Sequence, residues 1–402
     1  MGTGSQDATN RFKALMDQVE EPLKTTYQNV HQGYHAETLA RFLKAREWNV
    51  IKAHKMLVDC LHWRVQNEID NILTKPIIPT DLYRAVRNSQ LIGMSGYSRE
   101  VALSMFIAVL FIYGFLVPVY NLLYPAASWS MKNSRLFELY GIFISNVLAC
   151  NFFRLIQGLP VFAHGVGLST FDKASVHYYV QSHIQINEYR DRIVLPTASR
   201  KYGRPITTCV KVLDMTGLKL SALNQIKLMT IISTIDDMNY PEKTNTYYIV
   251  NAPYIFSACW KVVKPLLQER TRKKVQVLSG NGRDELLKIM DAASLPHFCK
   301  REGSGSSRHS EYANENCFSL DHPFHQQLYN YIKQQSLASE PTQPIKQGSV
   351  HVDLPEPAAE GIEIAKTIES EMQKFENGNG LSGSLDGHKI NDNSDYRTTH
   401  CL

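Results

Sequence analysis

Hydrophobic and polar positions divide the chain into stretches of different period. In residues 8–75 the apolar positions recur at helical spacing. Leu39, Phe42, Leu43 and Arg46 fall on one face, and Ile51, His54, Met56, Leu57, Leu61 and Trp63 lie on overlapping faces of a second helix. Between them Arg46-Glu-Trp-Asn49 supplies a break and the cap of the next helix. Pro76-Ile-Ile-Pro79 ends this helical region. From residue 158 short β-type runs alternate with helical ones. Strands are predicted at Pro160–Gly165, Thr207–Leu213, Thr246–Asn251 and Lys274–Leu278. Helices are predicted at Lys173–Asn187, Ala222–Asp237, Ile255–Gln268 and Asp284–Ala293. This alternation implies an α/β fold with a mainly parallel sheet. Gln90–Tyr97 is expected to pair with the first strand as a hairpin.

One block breaks the pattern. Val101 to Met131 contains no charged residue, and Val101–Tyr120 has the length and polarity of a membrane-spanning helix. Pro118 and Pro125 interrupt it. A single crossing here would place the two halves of one hairpin on opposite sides of a bilayer. Past residue 302 the chain turns polar, with one short helix expected near 323–335 and disorder around Asn377–Gly380 and Ser382–Leu385. The expected domains are a helical lobe, 1–75; an α/β domain, 76–302, interrupted by 101–157; and an acidic, largely disordered tail, 303–402.

Charge sharpens this division. The net charge of +5 hides a basic middle, 20 Lys and Arg against 12 Asp and Glu in 158–302, and an acidic tail, 7 against 14 in 303–402. The middle suits an anionic surface such as phospholipid or nucleic acid. The seven cysteines form no C-x-x-C pair, and the N-terminus lacks the apolar stretch of a signal peptide, so a reducing cytoplasm is the expected setting.

Signals of catalysis are few. Gly280-Asn-Gly282 follows a strand, but Glu285 stands where a dinucleotide fingerprint needs its third glycine. Asp214 reads as a turn-ordering side chain, Asp236-Asp237 as a helix end, and His31 and His35 as solvated helix positions. No catalytic residue, metal site or cofactor is expected. What remains points to ligand burial. Tyr254–Leu267 is apolar nearly all round, broken only by Lys261 and Lys264. Such a helix is core, or a lid over an apolar cavity. The cationic run Glu269-Arg-Thr-Arg-Lys-Lys274 after it suits phosphate.

Five ordered motifs carry a resemblance: Leu39-Ala-Arg-Phe-Leu-Lys-Ala-Arg46, Tyr240-Pro-Glu242, Tyr248-Ile-Val-Asn-Ala-Pro253, Lys264-Pro265 and Leu295-Pro296. Together they resemble the CRAL-TRIO lipid-binding family, in particular its Sec-fourteen-like phosphatidylinositol transfer members. The resemblance implies a helical lobe followed by a lobe whose sheet floors an apolar lipid cavity. It implies a headgroup site at Arg46, Glu242, Thr271 and Lys274. It also implies a mobile gate, residues 254–268, with Tyr254, Ile255, Phe256, Trp260, Val263, Leu266 and Leu267 at the gate and cavity. The expected function is non-enzymatic: a monomeric carrier binding phosphatidylinositol-type phospholipid at anionic, cytosolic membrane faces, with no nucleic-acid partner. The alternatives are an integral membrane protein anchored by 101–157 with a cytosolic lipid-sensing domain, and an α/β enzyme. The chain departs from the family pattern at Glu47, commonly basic, and at Cys209 and Lys211, where two-lipid members carry the Ser and Thr for phosphatidylcholine. Residues 101–157 have no counterpart in the family. The block starts with Val, always coded GTN, and ends with Gln157, codable as CAG. A retained in-frame intron of 57 codons is therefore expected.

Overall fold

In a computed structural model of the chain, residues 3–99, 158–219, 225–300, 316–338, 352–357 and 359–379 are described. The helical lobe consists of α1 (Thr3–Met16), α2 (Leu23–His31), α3 (His35–Ala45) and α4 (Val50–Gln66). Its core is the fully buried set Phe12, Phe42, Leu43, Leu57 and Leu61. The break before α4 is built as its sequence implies. Glu47 and Trp48 take left-handed φ of 51° and 63°, and the Asn49 side chain accepts the backbone N–H of Lys52 at 3.0 Å. His31 departs from expectation. It is buried, with its ring tilted against that of His35, centroids 3.4 Å apart, and its Nδ1 accepts the Gly33 N–H.

A 3₁₀ turn (Ile69–Thr74) and α5 (Thr80–Ser89) lead into the sheet. Its strands are β1 (Ile92–Tyr97), β2 (Pro160–Gly165), β3 (Cys209–Asp214), β4 (Thr244–Val250) and β5 (Val275–Val277). The strand order is β1-β2-β3-β4-β5; β1 pairs antiparallel with β2, and the remaining pairs are parallel. The expected hairpin forms, Ile92 opposite His164 and Tyr97 opposite Pro160. Its pairing continues to the edge of the insert, where Ser98 N–H donates to the Leu159 carbonyl and Gly158 N–H to the Ser98 carbonyl. The insert itself, 101–157, lies outside the described residues, and so does the expectation of a membrane span within it. Among the described residues no helix is long and apolar enough to cross a membrane.

Connections between the parallel strands cover the sheet. α6 (Val176–Tyr189) runs through a π turn (Arg190–Val194) into α7 (Leu195–Lys201); α8 (Ile226–Asn239) joins β3 to β4. The β4–β5 connection is α9 (Tyr254–Val263), a 3₁₀ turn (Lys264–Leu266) and α10 (Glu269–Arg272). α9 is shorter than the expected 255–268, because Pro265 cannot continue it. After β5 come α11 (Arg283–Leu287) and α12 (His297–Lys300). Val161, Val210, Val212, Tyr248 and Val250 pack on α7, α11 and the chain near Leu295. Phe162 and Cys209 meet α6, α8 and α13 (Pro323–Ala338) in a separate core. With both faces covered, the strands read as apolar runs rather than alternations.

The tail differs from expectation. Besides α13 it forms α14 (Ala359–Asn379). Val352 is fully buried, and the Asp353 carbonyl accepts from Trp63 Nε1 of α4 at 3.1 Å. The glycine-rich stretch 382–385 lies outside the described residues.

Candidate functional site

The headgroup candidates converge where α3, the turn before β4 and α10 meet. Glu242 has φ +59°, a strained left-handed conformation for a non-glycine residue. Arg41 of α3, buried, reaches the Pro241 carbonyl at 3.5 Å and holds this turn from behind. The turn directs the Glu242 carboxylate at α10. There it hydrogen-bonds Lys274 Nζ and lies 3.8 Å from Arg270 Nε. Thr271, half-buried, accepts the Lys274 N–H through its carbonyl at 2.9 Å. Arg270 also donates to the Lys44 carbonyl at the end of α3. Arg46 follows that end, and its Nη1 donates to the Ala45 carbonyl. Burial and the neighbouring Arg270 charge lower the Arg46 pKa, partly offset by Asp237. Asp237 is raised to about 6 by burial and by Asp236 beside it.

The structure thus gathers Glu242, Thr271 and Lys274, with Arg46 linked to them through Arg270. Arg270 was absent from the sequence-derived set. Nothing in the cationic run singled it out, since Arg270, Arg272, Lys273 and Lys274 are alike in sequence. Arg270 and Lys274 lie at the Glu242 carboxylate, and Arg46 stands near Arg270 with Asp237 as its opposing charge. Three cations thus face two carboxylates, an arrangement that suits a phosphate, with the Thr271 hydroxyl and Glu242 available to inositol-type hydroxyls.

Beside this cluster lies α9. Its apolar residues are only partly packed: Tyr254 is 77% exposed and Val262 37%, while Val263 is buried. Phe256 and Trp260 stack on one another, one turn apart, at 6.0 Å. Leu266 and Leu267 follow in the turn, half-buried. The Ile255 side chain lies outside the described set. A cleft of about 610 Å³ separates Val262 from α14, where Ile362, Lys366 and Thr367 face it.

The resemblance implied an apolar cavity floored by the sheet and named no face. On the face toward α6 and α8 the strands pack against α13. Phe324 of α13 stands edge-on to Phe162, and the described space against the strands is a void of about 10 Å³, room for one water. Its lining includes Phe162 and Ile186 but also His164, Arg190 and Lys211. Lys211 lies 3.7 Å from Asp236 and 5.8 Å from the Tyr247 ring centre. Burial opposes ionisation of Asp236, but the His183 and Lys211 charges outweigh it and hold its pKa well below the usual range.

The chemistry-bearing motifs set aside on sequence have structural roles. Asp214 orders its turn by accepting from Thr216 N and Asn251 Nδ2. Gly280 and Gly282 both adopt left-handed φ, and a Cβ on Gly282 would meet Val250 at 2.8 Å. These glycines make a close turn.

With this geometry in hand, comparison with known proteins places the chain. The CRAL/TRIO domain family matches residues 158–300, and its N-terminal domain family matches residues 8–59. Over these two stretches the chain is similar to the CRAL/TRIO family. The SEC14 cytosolic factor of Eremothecium gossypii is 24% identical over 295 residues, 72% of this chain and 75% of that protein. The phosphatidylinositol/phosphatidylcholine transfer protein SFH9 of Arabidopsis thaliana is 25% identical over 285 residues, 68% of this chain but 39% of its own length. The SEC14 cytosolic factor of Yarrowia lipolytica is 32% identical over 162 residues, 38% of this chain and 32% of that protein. Among solved structures, Sfh5 covers 81% of this chain and 97% of its own at 16% identity, with a TM-score of 0.44.

Proposed function

We propose that this protein is a non-enzymatic carrier that binds phosphatidylinositol-type phospholipid and exchanges it at cytosolic membrane faces. The observation that carries this reading is the cluster of Arg46, Glu242, Arg270, Thr271 and Lys274 next to a loosely packed apolar helix. A phosphate has cations to meet, inositol hydroxyls have Glu242 and Thr271, and acyl chains have a route past α9. The relatives named for phosphatidylinositol and phosphatidylcholine transfer support the ligand class. Lys211, a cation on the sheet face in place of a hydroxyl, argues for phosphatidylinositol over phosphatidylcholine. Tyr254, Ile255, Phe256, Trp260, Val263, Leu266 and Leu267 are the gate residues in this reading. The protein acts as a monomer on anionic membranes.

Lys274→Ala reduces phosphatidylinositol transfer between vesicles tenfold or more with unchanged circular dichroism, since a charge-assisted contact to phosphate contributes about 1.5–3 kcal/mol. Glu242→Ala behaves similarly. Transfer at the parent rate in both variants removes these residues from the site. The closed pairing at Ser98 and Gly158 supports reading 101–157 as an interruption of a complete hairpin. A chain lacking 101–157 retains transfer. Loss of transfer on that deletion, with a carbonate-resistant full-length chain, would promote the membrane-anchored form.

A further inference from the structure

α14 is an amphipathic helix placed where a lipid gate would open. Gly361, Ile364, Ala365, Ile368 and Met372 share one stripe, and Met372 is buried. α14 packs against both α8 and α9. At α8, a Cβ on Gly361 would stand 3.6 Å from the Thr230 methyl. Past the end of α9, Gln268 Nε2 donates to Glu360 at 2.8 Å. At α9 itself, the Glu371 charge adds to burial in raising the Cys259 pKa. α14 is also the chief helical neighbour of α9 in the described structure.

The segment before α14 is pinned elsewhere. Asp353 N donates to Asn67 Oδ1 at 2.6 Å, and Leu354 packs on the α6–α8 core. Four residues lie between Leu354 and Ala359. So short a tether holds α14 at an effective concentration of order millimolar, and a weak contact then suffices to keep it seated.

The charges make this seating sensitive to a membrane. Between Ala359 and Lys374, α14 carries four acids against two bases. Around it, α9 and the following run expose Lys261, Lys264, Arg272 and Lys273. An anionic bilayer attracts the second set and repels the first, within a Debye length of about 8 Å at physiological salt.

We propose that α14 is an autoinhibitory strap that holds α9 to α8 and is displaced when an anionic bilayer engages α9. Its effect on transfer rests on the carrier reading above; its contact with α9 does not. Two full-length variants test it. Met372→Glu places a charge in the buried stripe. Thr230→Cys with Gly361→Cys is close enough to form a disulfide that fixes the strap. The first readout needs no lipid: the rate at which a thiol reagent modifies Cys259, in a background with Cys150 and Cys401 replaced by Ser. Met372→Glu raises that rate about tenfold. The second readout is phosphatidylinositol transfer. Met372→Glu transfers several-fold faster than the parent from neutral vesicles, and the gain shrinks on vesicles containing 30% phosphatidylserine, about the level of an anionic leaflet. The oxidised double-cysteine chain transfers several-fold slower than its reduced form. Equal Cys259 rates in parent and Met372→Glu overturn the strap. So does equal transfer by the oxidised and reduced double-cysteine chains when the parent transfers lipid. Faster Cys259 modification with no transfer by any form upholds the strap and overturns the carrier reading.

Discussion

Two contacts join distant parts of this chain, and they are built from opposite materials. Where α4 meets α6, the Arg64 guanidinium, 3% exposed, forks onto Glu188 at 2.9 and 3.0 Å. Glu188 also accepts from Arg192 and from the Tyr240 hydroxyl at 2.7 Å, and Arg64 reaches Asp70. Where α14 packs against α9, a helix bearing an apolar stripe lies on a half-exposed apolar helix, with a cleft between Val262 and Ile362, Lys366 and Thr367. The first has one geometry in which Arg64 and Glu188 meet through two hydrogen bonds, and sliding it would leave ions buried and unpaired. Among the described residues the second is tied by the Gln268–Glu360 hydrogen bond at its edge, and in the strap proposal it lifts and reseats. The difference separates a fixed seam between lobes from a movable cover, and charge pairing rather than apolar area marks the fixed one.

The strongest way to break the seam is Arg64→Met. It leaves Glu188 buried without its main partner, which costs about 3–5 kcal/mol. An unfolding free energy from urea titration within about 1 kcal/mol of the parent's would show that the seam is not what fixes the lobes. Acid does the same more gradually. Burial opposes ionisation of Glu188, but Arg64 and Arg192 outweigh it and hold its carboxyl at about 2. Between that value and the ordinary glutamate range near 4.3 the unfolded chain binds more protons than the folded one. The stability from Glu188 is therefore complete above about pH 4.5 and is lost as pH falls through about 2, on the order of 2–3 kcal/mol in all. Comparing unfolding across that window with Glu188→Gln tests it; identical slopes would assign the acid sensitivity elsewhere. The cover responds least: Met372→Glu changes global stability by less than about 1 kcal/mol, because α14 can detach without opening the core. A loss as large as that of Arg64→Met would make α14 part of the fold rather than a strap on it.

The same contrast explains what could be read from sequence. The hairpin of β1 and β2, the bounds of β2 and the Asn49 cap all come from local pattern, and the structure has them. Glu242, Thr271 and Lys274 were accessible through family motifs, and the structure brings them together. The Arg64–Glu188 pair was not legible, since its partners lie 124 residues apart and neither interrupts a helical period. Nor was Arg270, one cation in a run of four, until the Glu242 turn showed which of them faces inward. α14 escaped because its stripe uses Gly361 and Ala365, small residues that add little to an apolar pattern in an acidic segment. The filled sheet face escaped because Phe324 comes from α13, beyond the α/β domain, and no pattern inside that domain records it.

The order of synthesis gives the cover a further meaning. Ala359 follows Val263 by 96 residues. At about 5–20 residues per second, α9 leaves the ribosome roughly 5–20 s before the first residue of its cover. During that interval the nascent chain has its sheet and gate helix but not yet its strap. On the carrier and strap proposals above, a membrane near the translating ribosome meets the chain in its most receptive form, and the first phospholipid would be loaded at birth, before the finished chain is able to refuse it.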